Sequence, residues 1–214
     1  MGWHWLTPVG DLLLVWPTAL LTAGLLARRG AQSASAIRHW LLWLGGACLL
    51  VAASKVAFYG WGTGVRAWNL TCFSGHAVLA LGFWPMLLAI LVPPRRRRLR
   101  IAMLCLGLCL GVLAGLSRVM LGVHSLSEVL AGIALGGGVA WLALRALRAT
   151  WLPLDRGLVA SAVLLALAVW GGSRLAPPLP TEHWFRQVAT ALSGDEEPYS
   201  RRRWRHAEQM RGRH

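Results

Sequence analysis

The 214-residue sequence is 56% apolar and only 14% charged, whereas about 25% of the residues are charged in a typical soluble domain. It has 22 Lys and Arg against 8 Asp and Glu, which gives a formal net charge of +14. A soluble nucleic-acid-binding protein would spread its basic residues over its surface, but here they separate long apolar runs, which is typical of a polytopic membrane protein. The composition also excludes collagen-like, disordered and disulfide-scaffold proteins. We therefore expect membrane lipids, and no nucleic acid, as partners.

Six apolar segments are predicted to be transmembrane helices, although a spanning helix needs about 20 residues and several segments are shorter. Most tryptophans lie near segment ends, as interfacial tryptophans do. The sequence thus predicts an all-α bundle of about six transmembrane helices in one domain, residues 1–172. A polar, Arg-rich tail follows at 173–214, and we expect its residues 201–213 to be solvated, in contact with anionic lipid at most, and without chemistry of their own. The segments cover residues 9–27, 40–58, 76–92, 101–116, 127–144 and 157–172.

Small residues recur at four-residue spacing in two segments, which favours close helix packing. The cysteines show neither a CxxC pattern nor metal-type spacing, so we expect buried thiols and no metal site. The glycines of the stripes are Gly107, Gly111 and Gly115 in the fourth segment and Gly132 and Gly136 in the fifth, and the cysteines are Cys48, Cys72, Cys105 and Cys109.

Basic clusters occupy alternate connections between the segments, at residues 28–38, 95–100 and 145–156. The positive-inside rule places these connections in the cytoplasm. The loops at 55–75 and 117–125 are then extracytoplasmic.

The two extracytoplasmic loops contain the polar residues that are typical of a functional site. Ionisable residues at a membrane boundary are costly, so a site is the default hypothesis for them. Several cations accompany a single carboxylate, which favours an anionic ligand such as phosphate. The first loop has Lys55, Arg66, Asn69, Ser74 and His76, and the second has Ser117, Arg118, His124, Ser125 and Glu128.

The local spacing of these residues suits phosphate chemistry. Ser74 stands at the expected N-cap of the third helix, where its hydroxyl and the free N–H groups can meet phosphate oxygens, and Gly75 permits close backbone approach. His124 and Glu128 are four apart and share one helix face, so the carboxylate can accept the proton of one imidazole nitrogen and leave the other as a nucleophile. The guanidinium of Arg118 suits phosphate oxygens bidentately.

These loops resemble the type 2 phosphatidic acid phosphatase (PAP2) superfamily, and in particular its bacterial membrane lipid phosphatases, with motifs Lys-x6-Arg-Pro, Pro-Ser-Gly-His and Ser-Arg-x5-His-x3-Asp. Residues 117–128 match the third motif with Glu for Asp, and residues 73–76 match the second with Phe for Pro. The first motif is degenerate, because Lys55 is followed by Gly62-Thr63 at the Arg-Pro position and the nearest arginine is Arg66. The resemblance covers about residues 10–145, with a motif-bearing core at about 40–145.

The resemblance implies a metal-free, cofactor-free membrane enzyme that hydrolyses a lipid phosphate or pyrophosphate. His124, oriented by Glu128, would attack phosphorus and form a phosphohistidine, while His76 would protonate the leaving oxygen and then activate water. The family's location implies a bacterial inner membrane, with the site on the periplasmic face. The implied phosphate-binding residues are Lys55, Ser74, Gly75, Arg118 and, if the loop bends back, Arg66.

Some of these residues have structural interpretations as well. Ser125 and Glu128 fit a capping box, which is compatible with Glu128 orienting His124. Lys55 fits a snorkelling lysine at a helix end. For Arg66, a charged loop residue without a binding role and a phosphate-binding residue are equally good interpretations.

Two alternative functions remain open at this stage. A lipid phosphotransferase would use the same residues and pass the phosphoryl group to another lipid. A non-catalytic PAP2-like membrane protein would account for the degenerate first motif.

Overall fold

The computed structural model describes residues 2–152 and 180–203. Over these ranges the chain forms six α-helices and two short 3₁₀ segments and no β-strand. The α-helices are α1 Leu12–Ala27, α2 Ala31–Trp61, α3 Gly75–Ile90, α4 Arg97–Met120, α5 Leu126–Ala146 and α6 Thr181–Ser193, and the 3₁₀ segments are Trp3–Gly10 and Arg66–Trp68.

Five of the six predicted segments coincide with α1 to α5, and the sixth, at 157–172, lies outside the described residues. The predicted all-α membrane bundle is confirmed. By length and apolarity, α2, α4 and α5 can each cross a membrane, and a fourth span results if Trp3–Gly10 and α1 count as one helix bent by 42°. Helix α3 is apolar but has only 16 residues. Large apolar side chains such as Leu49 and Leu130 are exposed on the outer faces of α2 and α5, as expected for surfaces in contact with lipid.

Helix α3 is the central helix of the bundle, with 12 of its 16 residues buried. The glycine stripes of α4 and α5 pack against it. A Cβ atom added to Gly107 would lie 2.5 Å from Cα of Pro85, and one added to Gly136 would lie 2.7 Å from the carbonyl oxygen of Val78. The prediction that the stripes serve helix packing is therefore confirmed.

The prediction of buried thiols is wrong for two cysteines. Cys105 and Cys109 are exposed on α4, while Cys48 and Cys72 are partly buried. Because Gly107 and Gly111 face α3, the cysteines lie on a different side of the helix.

The basic connections before α4 and after α5 meet at one end of the bundle. Nη2 of Arg100 donates to the carbonyl oxygens of Leu147 (3.2 Å) and Thr150 (3.3 Å). A cation at this position satisfies carbonyl groups at the C-terminal end of α5 and opposes the helix dipole. The loops that carry the predicted site therefore lie at the opposite end.

The prediction of a solvated tail is wrong at Arg201, which is partly buried and follows a segment, 180–200, that packs on α2. Helix α6 buries Ala189 close to Gly60 and ends at Gly194, whose φ of 77° is in the left-handed region that glycine adopts readily. Beyond it, the N–H of Tyr199 donates to the carbonyl oxygen of Tyr59 at 2.6 Å. The tail thus reaches the end of the bundle at which the predicted site lies.

Candidate functional site

The start of α5 positions Glu128 through a capping box. Oγ of Ser125 accepts from the N–H of Glu128 at 3.3 Å, and the N–H of Ser125 donates to Oε2 of Glu128 at 3.1 Å. The capping interpretation is therefore confirmed, and it leaves Oε2 available to a second partner.

That partner is His124, whose Nδ1 lies 2.8 Å from Oε2 of Glu128. The carboxylate is completely buried, and the side chain of His124 is only 10% exposed. Oε1 of Glu128 accepts from the N–H of Thr71 at 3.1 Å and also from the hydroxyl of Thr71. A buried carboxylate with this many donors is fixed in place and in its charged form. Capping and contact with the histidine thus occur together in one residue.

The two predicted loops meet at this point, as the sequence indicated. The N–H of Ser74 donates to the carbonyl oxygen of Glu128 at 3.1 Å, which joins the start of α3 to α5. The hydroxyl of Ser125 donates to the carbonyl oxygen of Asn69 at 2.8 Å, and that of Ser127 to Trp68 at 2.6 Å. A Cβ atom on Gly132 would lie 2.8 Å from the carbonyl oxygen of Ser74, so glycine there allows the approach.

Ser74 occupies the predicted N-cap position of α3, but its side chain makes no capping hydrogen bond. Its Oγ is fully buried and has no hydrogen-bond partner within the described residues, and the same holds for Nε of Arg118. Buried polar groups are almost always paired, so these two groups are suited to a bound ligand. Gly75 begins the helix, and a Cβ atom there would make only an ordinary contact with Val51.

His76 is the second residue of α3 and lies within electrostatic reach of Arg118, His124 and Lys55. The N-terminal 3₁₀ segment covers it, because a Cβ atom on Gly10 would lie 2.5 Å from the carbonyl oxygen of His76. The two predicted histidines are therefore at the same end of the bundle.

A cavity of about 440 Å³ opens beside these groups. Of the predicted site residues, Lys55, Arg118 and His124 line it, whereas His76 and Ser74 are not among the lining residues. Arg66 is exposed in the Arg66–Trp68 segment and does not line the cavity.

The remaining wall of the cavity comes from the C-terminal segment, which the sequence did not associate with the site. Lys55 pairs with the carboxylate of Glu182, and the hydroxyl of Tyr59 donates to Oε2 of the same carboxylate at 2.7 Å. Nη2 of Arg201 lies 2.6 Å from both carboxylate oxygens of Glu128. The amphipathic pattern at 181–193 could have indicated a helix, but no local signal joins Glu182 or Arg201 to residues more than 70 positions earlier.

Two pKa values outside the spanning helices reflect these surroundings. Partial burial by itself would raise the pKa of the Glu182 carboxyl, but Lys55 and the hydrogen bonds from Lys55 and Tyr59 hold it below its usual value. Burial, together with the nearby charge of Glu128, raises the pKa of the Cys72 thiol to about 11, so the thiol is neutral and is a poor nucleophile.

Potential metal-ligand atoms of Cys72, His124 and Glu128 all lie within 4.8 Å of one another. The carboxylate of this group is already bonded to the imidazole, to Thr71 and to the guanidinium of Arg201. A cation already occupies the place beside the carboxylate, so the surroundings suit an anion better than a metal ion.

A family model described as the PAP2 superfamily matches residues 60–152, which include both histidine-bearing motifs. A Klebsiella pneumoniae protein named "Uncharacterized 22.5 kDa protein in cps region" is 34% identical over 205 residues, covering 94% of this chain and 96% of that protein. No solved structure matches. Together with the paired motifs at one end of an all-α membrane bundle, these similarities establish that the chain belongs to the PAP2 superfamily.

Proposed function

We propose that this chain is an integral membrane phosphatase that hydrolyses a lipid phosphate or pyrophosphate, without a metal ion, through a phosphohistidine at His124. Membership of the PAP2 superfamily supports a phosphatase-type function in general. The observation that carries the more specific proposal is the His124–Glu128 pair at 2.8 Å on the wall of a cationic cavity.

Glu128 determines which nitrogen of His124 is the nucleophile. The carboxylate oxygen 2.8 Å from Nδ1 accepts the proton there, so Nε2 keeps its lone pair. The negative charge also stabilises the imidazole as it becomes positive during attack. His124 is thereby prepared to form a bond to phosphorus.

The groups that would hold the phosphate lie at the same end of the bundle as His124. Lys55 and Arg118 line the cavity with positive charge. The buried hydroxyl of Ser74 and Nε of Arg118 are donors without partners in the described part of the chain, and the first N–H groups of α3 add the positive end of a helix dipole. Donors fixed before the reaction stabilise the charge that develops on the non-bridging oxygens.

The reaction would proceed in two displacements. Nε2 of His124 bonds to phosphorus as the bond to the leaving oxygen breaks, and His76 gives that oxygen a proton. A water oxygen then attacks phosphorus, the P–N bond breaks, and His76 takes the proton of the water. The products are the dephosphorylated lipid and inorganic phosphate, and both histidines return to their starting states.

The orientation in the membrane follows from charge. The cavity lies at the end of the bundle opposite Arg100 and the other basic connections. The positive-inside rule supports our proposal that the cavity is on the periplasmic side of a bacterial inner membrane, where it would accept lipid from the outer leaflet.

The test is phosphate release from a panel of lipid phosphates and pyrophosphates in detergent, with chelator present. We expect turnover in the wild type and its loss in His124→Ala. His39→Ala is the matched control, because His39 lies near the other end of α2, bonded to the carbonyl oxygen of Ser35, and should retain activity. A requirement for a divalent ion, or turnover in His124→Ala, would contradict the mechanism. Labelled phosphate appearing on an acceptor lipid would identify a phosphotransferase instead.

A further inference from the structure

The C-terminal segment 180–203 covers the part of the bundle where the first motif is degenerate. Gly62, which stands at the position of the motif arginine, has a φ of 64°, and a Cβ atom there would lie 2.7 Å from the ring of Tyr199. The ring of Tyr199 also meets Phe58 edge-on at 6.1 Å. A larger residue at position 62 would therefore require the ring of Tyr199 to move, so glycine at this position allows the segment to pack as it does.

The docked segment brings its own guanidinium group to the cavity. Nη2 of Arg201 contacts both oxygens of Glu128 at 2.6 Å, and Arg201 also lines the cavity, with one third of its side chain exposed. A guanidinium has five N–H donors in a plane, so one edge can hold Glu128 while others remain for a second anion. Arg201 thus touches both the carboxylate that holds His124 and the space a phosphate would occupy.

The charge around the cavity is consistent with a phosphate dianion. Among the described residues, four cationic side chains line it, Lys55, Arg118, Arg186 and Arg201, and one carboxylate, that of Glu182. When the buried Glu128, which contacts His124 and Arg201, is also counted, the formal charge of these described groups is two positive units, and it falls to one if Arg201 is removed.

We propose that Arg201 completes the phosphate site from the C-terminal segment, both by holding Glu128 against His124 and by donating to the phosphate group. This inference deepens the proposed function. Only the role of Arg201 in the reaction rests on that function, and its role in phosphate binding does not. The ligand chemistry is a tetrahedral phosphate dianion, whether it is free phosphate or a lipid phosphomonoester headgroup.

The first experiment measures binding without turnover. The dissociation constant of inorganic phosphate is measured for the full chain in detergent, for wild type, Arg201→Ala, Arg201→Lys and the control Arg202→Ala, which changes the neighbouring exposed arginine. Loss of one charged donor should weaken binding about tenfold in Arg201→Ala, with partial recovery in Arg201→Lys and no change in Arg202→Ala. Equal binding in wild type and Arg201→Ala, both with inorganic phosphate and with the phosphatidic acid micelles of the second arm, would overturn the proposal.

A second arm distinguishes the source of the phosphate. The same variants are titrated with mixed micelles that contain phosphatidic acid, and with matched micelles that contain phosphatidylcholine. If substitution of Arg201 weakens binding only with phosphatidic acid micelles, the ligand is a lipid headgroup. If it weakens binding of free phosphate equally, the ligand is the phosphate group itself. Either result supports the role of Arg201. If binding depends on Arg201 neither with free phosphate nor with phosphatidic acid micelles, that role is refuted.

A third measurement separates the role of Arg201 in the reaction from a general loss of folding. In Arg201→Gly, added methylguanidinium should restore a substantial part of kcat, while ammonium at the same concentration should not. Recovery of kcat by methylguanidinium requires a folded site in which the position of the Arg201 guanidinium is empty. If Arg201→Gly has the same unfolding temperature as the wild type and methylguanidinium does not restore kcat, the role of Arg201 in the reaction is contradicted. If no lipid phosphate is hydrolysed by the wild type while phosphate binding still depends on Arg201, the proposed function fails and the binding inference stands.

Discussion

Two regions of the chain contribute to one cavity, and they are encoded in different ways. The outer loops at 62–74 and 121–125, with the adjoining helix ends, carry recognisable motifs, whereas the C-terminal segment 180–203 carries none of them. Yet Glu182 pairs with Lys55 and Arg201 with Glu128, so the unrecognised region touches two residues of the recognised one. The motif residues fall into short sequence patterns, while the residues that pair with them can come from a distant part of the chain.

The largest effect is expected at Glu128, where both regions meet. Glu128→Gln removes the negative charge that pairs with Arg201 and replaces one of the two acceptor oxygens by an NH2 donor, so that the donors of His124 and Thr71 cannot both be satisfied. Phosphate release should fall roughly 100-fold. Stability should fall by about 1–3 kcal/mol, since buried donors lose a charged acceptor. Phosphate release and thermal unfolding in detergent measure the two effects.

The graded control for this substitution is Glu128→Asp, which keeps the carboxylate on a shorter side chain. We expect it to retain more activity and more stability than Glu128→Gln. Equal losses in both variants would mean that side-chain length, and not charge, determines the role of Glu128.

The next largest effect is expected where α5 packs against the start of α3. Gly132→Ala places a Cβ atom 2.8 Å from the carbonyl oxygen of Ser74, so α5 and the start of α3 must separate. Overpacking of this kind costs about 1–3 kcal/mol, and activity should fall with it. Gly137→Ala on the same helix is the matched control, because a Cβ atom there meets nothing within 4 Å, and it should be neutral or slightly stabilising in the same unfolding assay.

A smaller effect is expected from the pH dependence of the C-terminal contact. The folded pKa of Glu182 lies below its usual value, so its contribution to docking is complete above the ordinary carboxyl pKa of about 4.3 and is lost as the pH falls through the lowered value. Hydrogen exchange of α6, corrected for intrinsic rates, should therefore accelerate at acidic pH. Glu182→Gln should exchange faster at neutral pH and lose this pH dependence, whereas the same change at exposed Glu196 should leave it intact.

The smallest effect is expected at Arg66. It lies on an exposed 3₁₀ segment and outside the cavity lining, so Arg66→Ala should change phosphate release by roughly twofold or less. Arg118→Ala, which removes a cavity-lining guanidinium, is the comparison and should have a much larger effect. A large loss of phosphate release in Arg66→Ala would indicate that Arg66, and not Arg201, binds the phosphate.

Sequence patterns anticipated most of the bundle because they depend on local chemistry. Apolar runs predicted five described helices, the stripes containing Gly107 and Gly136 predicted close packing on α3, and Ser125 with Glu128 predicted the capping box. The prediction of buried thiols was wrong at Cys105 and Cys109, because in a membrane bundle an apolar helix position can face lipid as readily as protein.

The sequence by itself determined the all-α membrane bundle, the PAP2 motifs and the pairing of His124 with Glu128, because apolar length, residue type and i,i+4 spacing act over a few residues. Only the tertiary structure decided that Thr71 also binds Glu128, that Arg66 lies outside the cavity, and that Glu182 and Arg201 line it. These contacts join residues 57 to 127 positions apart, and such distant pairs form only when the packed helices bring two loops and the C-terminal segment to the same end of the bundle.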